Sequence, residues 1–303
     1  MTHSMKMLGL LAGLLFGCMA LAATGLEAEP RAAGENRAFT VRVTGTGSRT
    51  MILIPGLLSS GEVWDGAVEH FSARYRVHVL TIAGFAGVAP ADGPLLPRVR
   101  DELIAYIRDE NLDRPILVGH SLGGFLALWI ASTAPDLVGP IVAVDGVPFL
   151  PALMDPSATA SGMRPQAERM RTLYRSMTSE QLELQSHMSL SSMISDPANV
   201  ARAAAWASQS DGRATGQAVY ELMTTDIRDE VAKITSEVLV IAAAKAMAST
   251  SDRIDAVLKI YEAQVARVPH ASVVLAKQAL HFIMLDDAPY LLSTMDAFLA
   301  RGR

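Results

Sequence analysis

Short apolar runs alternate with segments of helical periodicity along this chain of 303 residues. The runs are mostly continuous and rich in Val, Ile and Leu, which is typical of strands buried on both faces of a sheet. Apolar residues at helical spacing predict helices over 62–71, 95–109, 125–132 and 289–300. The predicted strands cover 39–43, 51–54, 76–82, 115–118, 141–145, 238–242 and 272–275.

This alternation predicts an α/β fold, with a mostly parallel central sheet flanked by the helices that connect its strands. One segment interrupts the rhythm. Residues 147–235 carry no strand signal, show several helical patterns and contain seven of the fifteen methionines. We therefore expect a core formed by 38–146 and 236–303, with 147–235 inserted as a helical cap or lid.

The first 22 residues have the pattern of a signal peptide. Lys6 supplies a positive charge, an apolar stretch follows, and 20–22 reads Ala-Leu-Ala, a small-x-small cleavage site. We expect a periplasmic or secreted protein with a flexible leader at 23–37. Cys18, the only cysteine, lies in a loose match to a lipoprotein cleavage box, so lipid anchoring is the less favoured alternative.

Composition narrows the classes of partner. The formal net charge is −5, and the chain has neither a basic run nor a basic surface interleaved with aromatics, which argues against nucleic-acid binding. Removal of residues 1–22 would leave no cysteine, and hence no disulfide and no thiolate metal site. No obligate protein partner is indicated, and we expect a small-molecule substrate.

The strongest local motif surrounds Ser121. Gly119-His120-Ser121-Leu122-Gly123 has the form G-x-S-x-G, follows a predicted strand and precedes a predicted helix. That context is typical of a nucleophile elbow. Such a turn would lift the Ser121 Oγ clear of the sheet and place the Leu122 N–H at a helix start, where it can stabilise an oxyanion.

A serine nucleophile needs a base, and His281 is the best placed of the seven histidines. It follows the last predicted strand by six residues, and loops at the carboxyl ends of parallel strands meet at one edge of a sheet. Ser121 and His281 should therefore lie close together despite their separation in sequence. His120, beside the nucleophile, is expected to pack rather than to react.

The chain resembles the α/β-hydrolase superfamily over essentially its whole mature length. The resemblance is carried by Ile-Pro-Gly-Leu at 54–57, the elbow at 119–124, Asp-Ile-Arg at 226–228 before the strand at 238–241, and His-Phe at 281–282. It implies a Ser-His-acid triad that uses no metal and no organic cofactor. It also implies that the second oxyanion-hole amide follows the early strand, and Leu57 is the candidate beside Leu122.

The triad acid departs from the usual pattern. The resemblance places it just after the strand at 238–242, but 243–246 contains no carboxylate and the next acid is Asp252. The superfamily also tolerates an acid one strand earlier, where Asp145 stands. Asp145 is therefore favoured over Asp252, although an Asp before Gly also commonly forms an Asx-type turn. Asp286 and Asp287 follow the histidine closely and are expected to cap the last helix.

These features predict a serine hydrolase that cleaves a carboxylester, thioester or lactone with an apolar acyl or aromatic group. Met163, Met170 and Met177 are spaced seven apart on one predicted cap helix. They either pack on the core or line an apolar pocket. The alternatives are a cofactor-free haloperoxidase or perhydrolase with the same triad and, less favoured, a non-catalytic binding protein on a hydrolase core.

Overall fold

A computed structural model describes residues 37–245 and 251–301. The predicted signal peptide, Cys18 and leader residues 23–36 lie outside these ranges, so export and lipidation stay predictions. No helix within the two ranges combines the length and the hydropathy that a membrane span requires.

The described ranges contain seven strands and ten α-helices. The strands are β1 (Phe39–Thr44), β2 (Arg49–Ile54), β3 (Tyr75–Ile82), β4 (Ile116–His120), β5 (Ile141–Val144), β6 (Val238–Ala243) and β7 (Ala271–Ala276). The α-helices are α1 (Asp65–Phe71), α2 (Leu95–Asp109), α3 (Leu122–Thr133), α4 (Ala160–Arg175), α5 (Ser179–Leu190), α6 (Pro197–Ser208), α7 (Gly212–Thr224), α8 (Ser251–Gln264), α9 (Ile283–Asp286) and α10 (Ala288–Leu299).

The seven strands form one sheet in the order β1-β3-β2-β4-β5-β6-β7. All neighbouring pairs are parallel except β1 with β3, which is antiparallel. The predicted α/β fold with a mostly parallel sheet is therefore confirmed. Strands β4, β5 and β6 are adjacent, so their carboxyl ends open side by side at one edge.

Both faces of the sheet are covered, which explains why the strand sequences are continuously apolar. Ile52 and Ile54 of β2 belong to a buried cluster that also contains residues of α2, α3 and α8. The alternate residues Met51 and Leu53 belong to a second cluster with residues of α1 and α10. Because successive side chains of a strand point to opposite faces, the central strands β4 and β5 are buried at every position, whereas the edge strands β1 and β7 are mostly half-buried.

Helices α4–α7 lie between β5 and β6 in the sequence, within the segment predicted to be a cap. Within it, α4 packs against α7 and α5 packs against α6. Met163 and Met170 are half-buried on α4, but the helix ends at Arg175 and Met177 lies beyond it. The prediction that these three methionines form a stripe on one helix was therefore wrong.

A buried carboxylate forms hydrogen bonds between the inserted helices and the core. Glu221 of α7 accepts hydrogen bonds from the backbone N–H groups of Leu95 (3.0 Å) and Leu96 (2.7 Å), the first two residues of α2. Pro94, at the N-cap of α2, provides no side-chain cap. Glu221 thus satisfies amides that a helix start leaves unpaired, and its negative charge suits that helix end. Burial raises the pKa of Glu221.

A histidine in the sheet should make stability depend on pH. His78 of β3 is 1% exposed, its Nδ1 lies 2.8 Å from the Tyr106 hydroxyl, and burial lowers its pKa from 6.5 to about 4. Between pH 6.5 and pH 4, this histidine binds a proton more readily in the unfolded chain than in the folded protein. Its contribution to the free energy of unfolding is therefore complete above pH 6.5 and is lost as the pH falls towards 4. The loss due to this group should be roughly 2–3 kcal/mol.

Urea unfolding at pH 7 and pH 4.5 checks this expectation. His78→Phe should lose about 2 kcal/mol less unfolding free energy between the two pH values than the unaltered protein. His187→Phe, at an exposed position of α5, is the control and should behave like the unaltered protein. An equal loss in all three proteins would contradict the assignment to His78.

Candidate active site

Ser121 occupies a strained turn between a strand and a helix. Strand β4 ends at His120, helix α3 begins at Leu122, and Ser121 between them has φ 52° and ψ −115°. Non-glycine residues adopt positive φ rarely, and such strain is commonly found at functional positions. The turn predicted from G-x-S-x-G is present, with the serine at its apex.

Two glycines make this turn possible because backbone approaches their α-carbons closely. A Cβ at Gly119 would lie 2.0 Å from the carbonyl oxygen of Gly123, and a Cβ at Gly123 would lie 2.2 Å from the carbonyl oxygen of Ile54. Real Cβ atoms do not tolerate such distances. The spacing of glycines around Ser121 therefore has the steric cause expected from the motif.

The structure brings Asp145 and His281 together. Asp145 follows β5 directly and His281 lies beyond β7, yet Oδ2 of Asp145 is 2.6 Å from Nδ1 of His281. The Asp145 side chain is 8% exposed and that of His281 is 27% exposed. Because an ionised carboxylate only accepts hydrogen bonds, the proton is assigned to Nδ1, which leaves Nε2 of a neutral ring as an acceptor.

Asp252, the alternative acid, lies in the first turn of α8, and its side chain is outside the described part of the structure. The contact between Asp145 and His281 favours Asp145, and the role of either carboxylate stays a prediction.

Two further groups hold the Asp145 carboxylate. Its Oδ1 accepts hydrogen bonds from the Ala243 N–H (2.8 Å) and the Tyr261 hydroxyl (2.7 Å). Ala243 ends β6, and Tyr261 lies in α8, 116 residues from Asp145 in sequence. Our sequence reasoning missed both donors, since no motif or spacing connects them to the acid.

His120 packs against the loop that carries His281, called the histidine loop below. It is 1% exposed, and its ring centroid lies 4.6 Å from the centroids of both His281 and Phe282. Its Nε2 is 3.1 Å from the carbonyl oxygen of His281 and donates to it. Burial lowers the pKa of His120 well below 6.5, so the ring stays neutral and keeps Nε2–H as the donor. The expected packing role agrees with this environment.

The inserted segment also holds the loop that carries His281. Asp286 accepts hydrogen bonds from the Leu280 N–H and from the backbone and hydroxyl of Ser195, at 2.8–2.9 Å. The expectation that Asp286 caps the last helix was wrong, because its oxygens are used in this loop instead. Asp287 does cap α10, since its side chain accepts from the Tyr290 N–H.

The two candidate oxyanion-hole amides lie on segments that touch. Leu122 is the first residue of α3, and Leu57 is in the turn after β2. A Cβ at Gly123 would lie 2.7 Å from the carbonyl oxygen of Pro55, so the start of α3 runs against this turn. Across residues 37–245 and 251–301, neither amide donates to another protein atom. Both remain candidate donors for a substrate oxygen.

The Ser121 hydroxyl forms no hydrogen bond with another residue in the part of the chain that the structure describes. Its pairing with His281 therefore stays a prediction. Over the same residues, no group of three or more His, Cys, Asp or Glu side chains is arranged to hold a metal ion.

Comparison with known proteins agrees with this architecture. The sequence profile of the Alpha/beta hydrolase family matches residues 51–292. The pimeloyl-[acyl-carrier protein] methyl ester esterase of Aliivibrio salmonicida is 25% identical over 254 residues, which are 82% of this chain and 91% of that protein. A putative carbamate hydrolase of Serratia proteamaculans is 36% identical over 104 residues, 33% of this chain and 39% of that protein. The crystal structure of a hydrolase from Pseudomonas aeruginosa superimposes with a TM-score of 0.72 at 18% identity, covering 89% of this chain and 97% of that one.

Proposed function

This chain belongs to the alpha/beta hydrolase family and is a hydrolase, and from that premise we propose that Ser121, His281 and Asp145 form a triad that cleaves esters. The observation that carries the proposal is the 2.6 Å contact between Asp145 and His281 at the sheet edge where the Ser121 turn lies. Nucleophilic serine, base and orienting acid on neighbouring strand ends are the parts that acyl transfer requires.

The proposed reaction uses all of these groups. The Ser121 Oγ attacks the carbonyl carbon of the ester while Nε2 of His281 takes its proton. The N–H groups of Leu57 and Leu122 hold the negative oxygen of the tetrahedral intermediate. His281 then gives its proton to the leaving alcohol. Water, activated by the same nitrogen, hydrolyses the acyl-serine and restores the enzyme, while Asp145 stabilises the imidazolium throughout.

An ester with an apolar acyl group fits the surroundings of these residues best. Leu57 and Leu58 are only partly buried in the turn after β2. Met193 is 37% exposed, and its carbonyl oxygen accepts from the Phe282 N–H, so it lies beside the histidine loop. Partly exposed Leu and Met side chains can adapt to an aliphatic or aromatic group. The esterase name of the relative that matches along most of its length supports the same reaction class.

A series of p-nitrophenyl esters with lengthening acyl chains tests the proposal. We expect turnover, with kcat/KM rising about fourfold for each added methylene until the apolar surface is covered. The p-nitrophenyl ester of a chain ending in a carboxylate is the matched control and should react more slowly than its apolar counterpart. Absence of ester turnover, or peroxide-dependent bromination in its place, would contradict the assigned reaction.

A further inference from the structure

We propose that Tyr261 is a positioning residue that fixes the Asp145 carboxylate in the orientation that His281 requires. The inference rests on the proposed triad and adds to it a residue from α8, the helix between β6 and β7. Among the described residues, the Tyr261 hydroxyl donates to Asp145 and forms no hydrogen bond with Ser121 or His281, so it would act on the reaction through Asp145.

Hydrogen-bond geometry carries the inference. The Tyr261 hydroxyl and the Ala243 N–H both donate to Oδ1 of Asp145, at 2.7 and 2.8 Å, while Oδ2 faces His281 at 2.6 Å. The two oxygens therefore have different partners: Oδ1 is held by the protein frame, and Oδ2 is left for the imidazole. The χ2 torsion of an aspartate has a broad minimum, so a carboxylate with a single donor on Oδ1 could still rotate. The second donor, from Tyr261, restricts this rotation.

The environment makes the hydroxyl a constant donor. Tyr261 is 5% exposed and belongs to the buried cluster beneath the sheet. Burial, and secondarily the neighbouring Asp145 charge, raises the pKa of Tyr261 well above 10, so the hydroxyl keeps its proton. The Asp145 side chain is nearly excluded from water, so a charged oxygen there needs protein donors in place of solvent.

The backbone of Asp145 is itself held in an uncommon conformation. Asp145 has φ 49°, which only a small fraction of non-glycine residues adopt. The N–H of Asp145 donates to the Ile241 carbonyl at 2.8 Å, so the backbone of this turn is held by β6. Tyr261 supplies the corresponding restraint on the side chain, from a helix on one face of the sheet.

Packing alone does not explain the residue, because a phenylalanine would fill the same space. The hydroxyl is the part that the proposal concerns, and Tyr261→Phe removes it without opening a cavity. We expect kcat for a p-nitrophenyl ester to fall about tenfold, with KM changed by less than about twofold. Tyr106→Phe is the matched control, since it removes a hydroxyl bonded to His78 away from the site, and it should leave kcat unchanged.

A double-mutant cycle distinguishes positioning from general stabilisation. The second-order rate of labelling by a fluorophosphonate is measured for Tyr261→Phe, Asp145→Asn and the double variant, with thermal melting to verify folding. If Tyr261 acts through Asp145, the tyrosine substitution should slow labelling about tenfold alone and should add less than about twofold in the Asp145→Asn background. A tenfold loss in both backgrounds, or no loss in either, would overturn the inference.

The same experiment separates this inference from the proposed function. If the unaltered protein neither turns over esters nor reacts with the fluorophosphonate, the proposed triad fails and Tyr261 has nothing to position. If the unaltered protein is active and Asp145→Asn is impaired, but Tyr261→Phe retains full kcat, the triad stands and only the role of Tyr261 is refuted.

Discussion

Ser121→Ala is expected to lower kcat for p-nitrophenyl esters by about 10⁶-fold, the scale found when a serine nucleophile is removed from a hydrolase. The substitution removes one oxygen at the apex of the turn, and alanine is smaller than serine. The folded structure should therefore be retained, with an unchanged circular dichroism spectrum. Fluorophosphonate labelling should disappear together with turnover, because both need the same oxygen.

A second serine on the same helix provides the control. Ser132 lies in the last turn of α3, where its hydroxyl donates to the Trp129 carbonyl at 2.9 Å, and Ser132→Ala should retain both turnover and labelling. Substantial turnover by Ser121→Ala would exclude the acyl-enzyme mechanism. Loss of labelling in both variants would show that the probe reports folding rather than the nucleophile.

Asp145→Asn is expected to lower kcat by about 10⁴-fold while leaving the fold intact. The reason is the fixed orientation of the side chain. Oδ1 faces the Ala243 N–H and the Tyr261 hydroxyl, so an asparagine must place its carbonyl oxygen there and its NH₂ towards His281. That NH₂ would donate to Nδ1, which moves the ring proton to Nε2. A ring protonated at Nε2 cannot accept the Ser121 proton.

Asp252→Asn is the matched comparison, since Asp252 is the alternative acid. It should retain turnover within about twofold of the unaltered protein. The reverse result, with Asp252→Asn inactive and Asp145→Asn active, would move the acid to α8. Measuring the two variants under identical ester concentrations decides between the two carboxylates in one experiment.

The parts of this molecule that local pattern controls could be predicted from the sequence. Continuous apolar runs identified the central strands because a sheet covered on both faces buries every position of β4 and β5, and glycine spacing identified the turn at Ser121. The methionine stripe failed for a local reason that was overlooked: Thr178 and Gln181 form a capping box that starts a new helix just after Met177.

The missed contacts are those made between distant segments. Glu221 caps a helix that lies 125 residues earlier, and Tyr261 donates to a carboxylate 116 residues earlier. A buried glutamate or tyrosine has no periodicity or motif that identifies its partner, so only the folded arrangement reveals it. Asp145 could be predicted because its position at a strand end is itself a local feature. Residues 243–246, where the family's triad acid is usually found, contain no carboxylate.

The place of Asp145 has a consequence for how this scaffold can diversify. Ser121 and Asp145, the proposed nucleophile and acid, lie at the two ends of the segment formed by α3 and β5 and are 24 positions apart, whereas helices α4–α7 follow later in the chain. Insertions, deletions or wholesale exchange of those helices therefore leave the spacing between serine and acid untouched. An acid after β6 would instead lie downstream of every such change. A chimaera with other helices in place of α4–α7 would therefore keep Ser121 and Asp145 at their spacing, but it would have to restore two contacts with the core: those of Ser195 with Asp286 and of Glu221 with the start of α2.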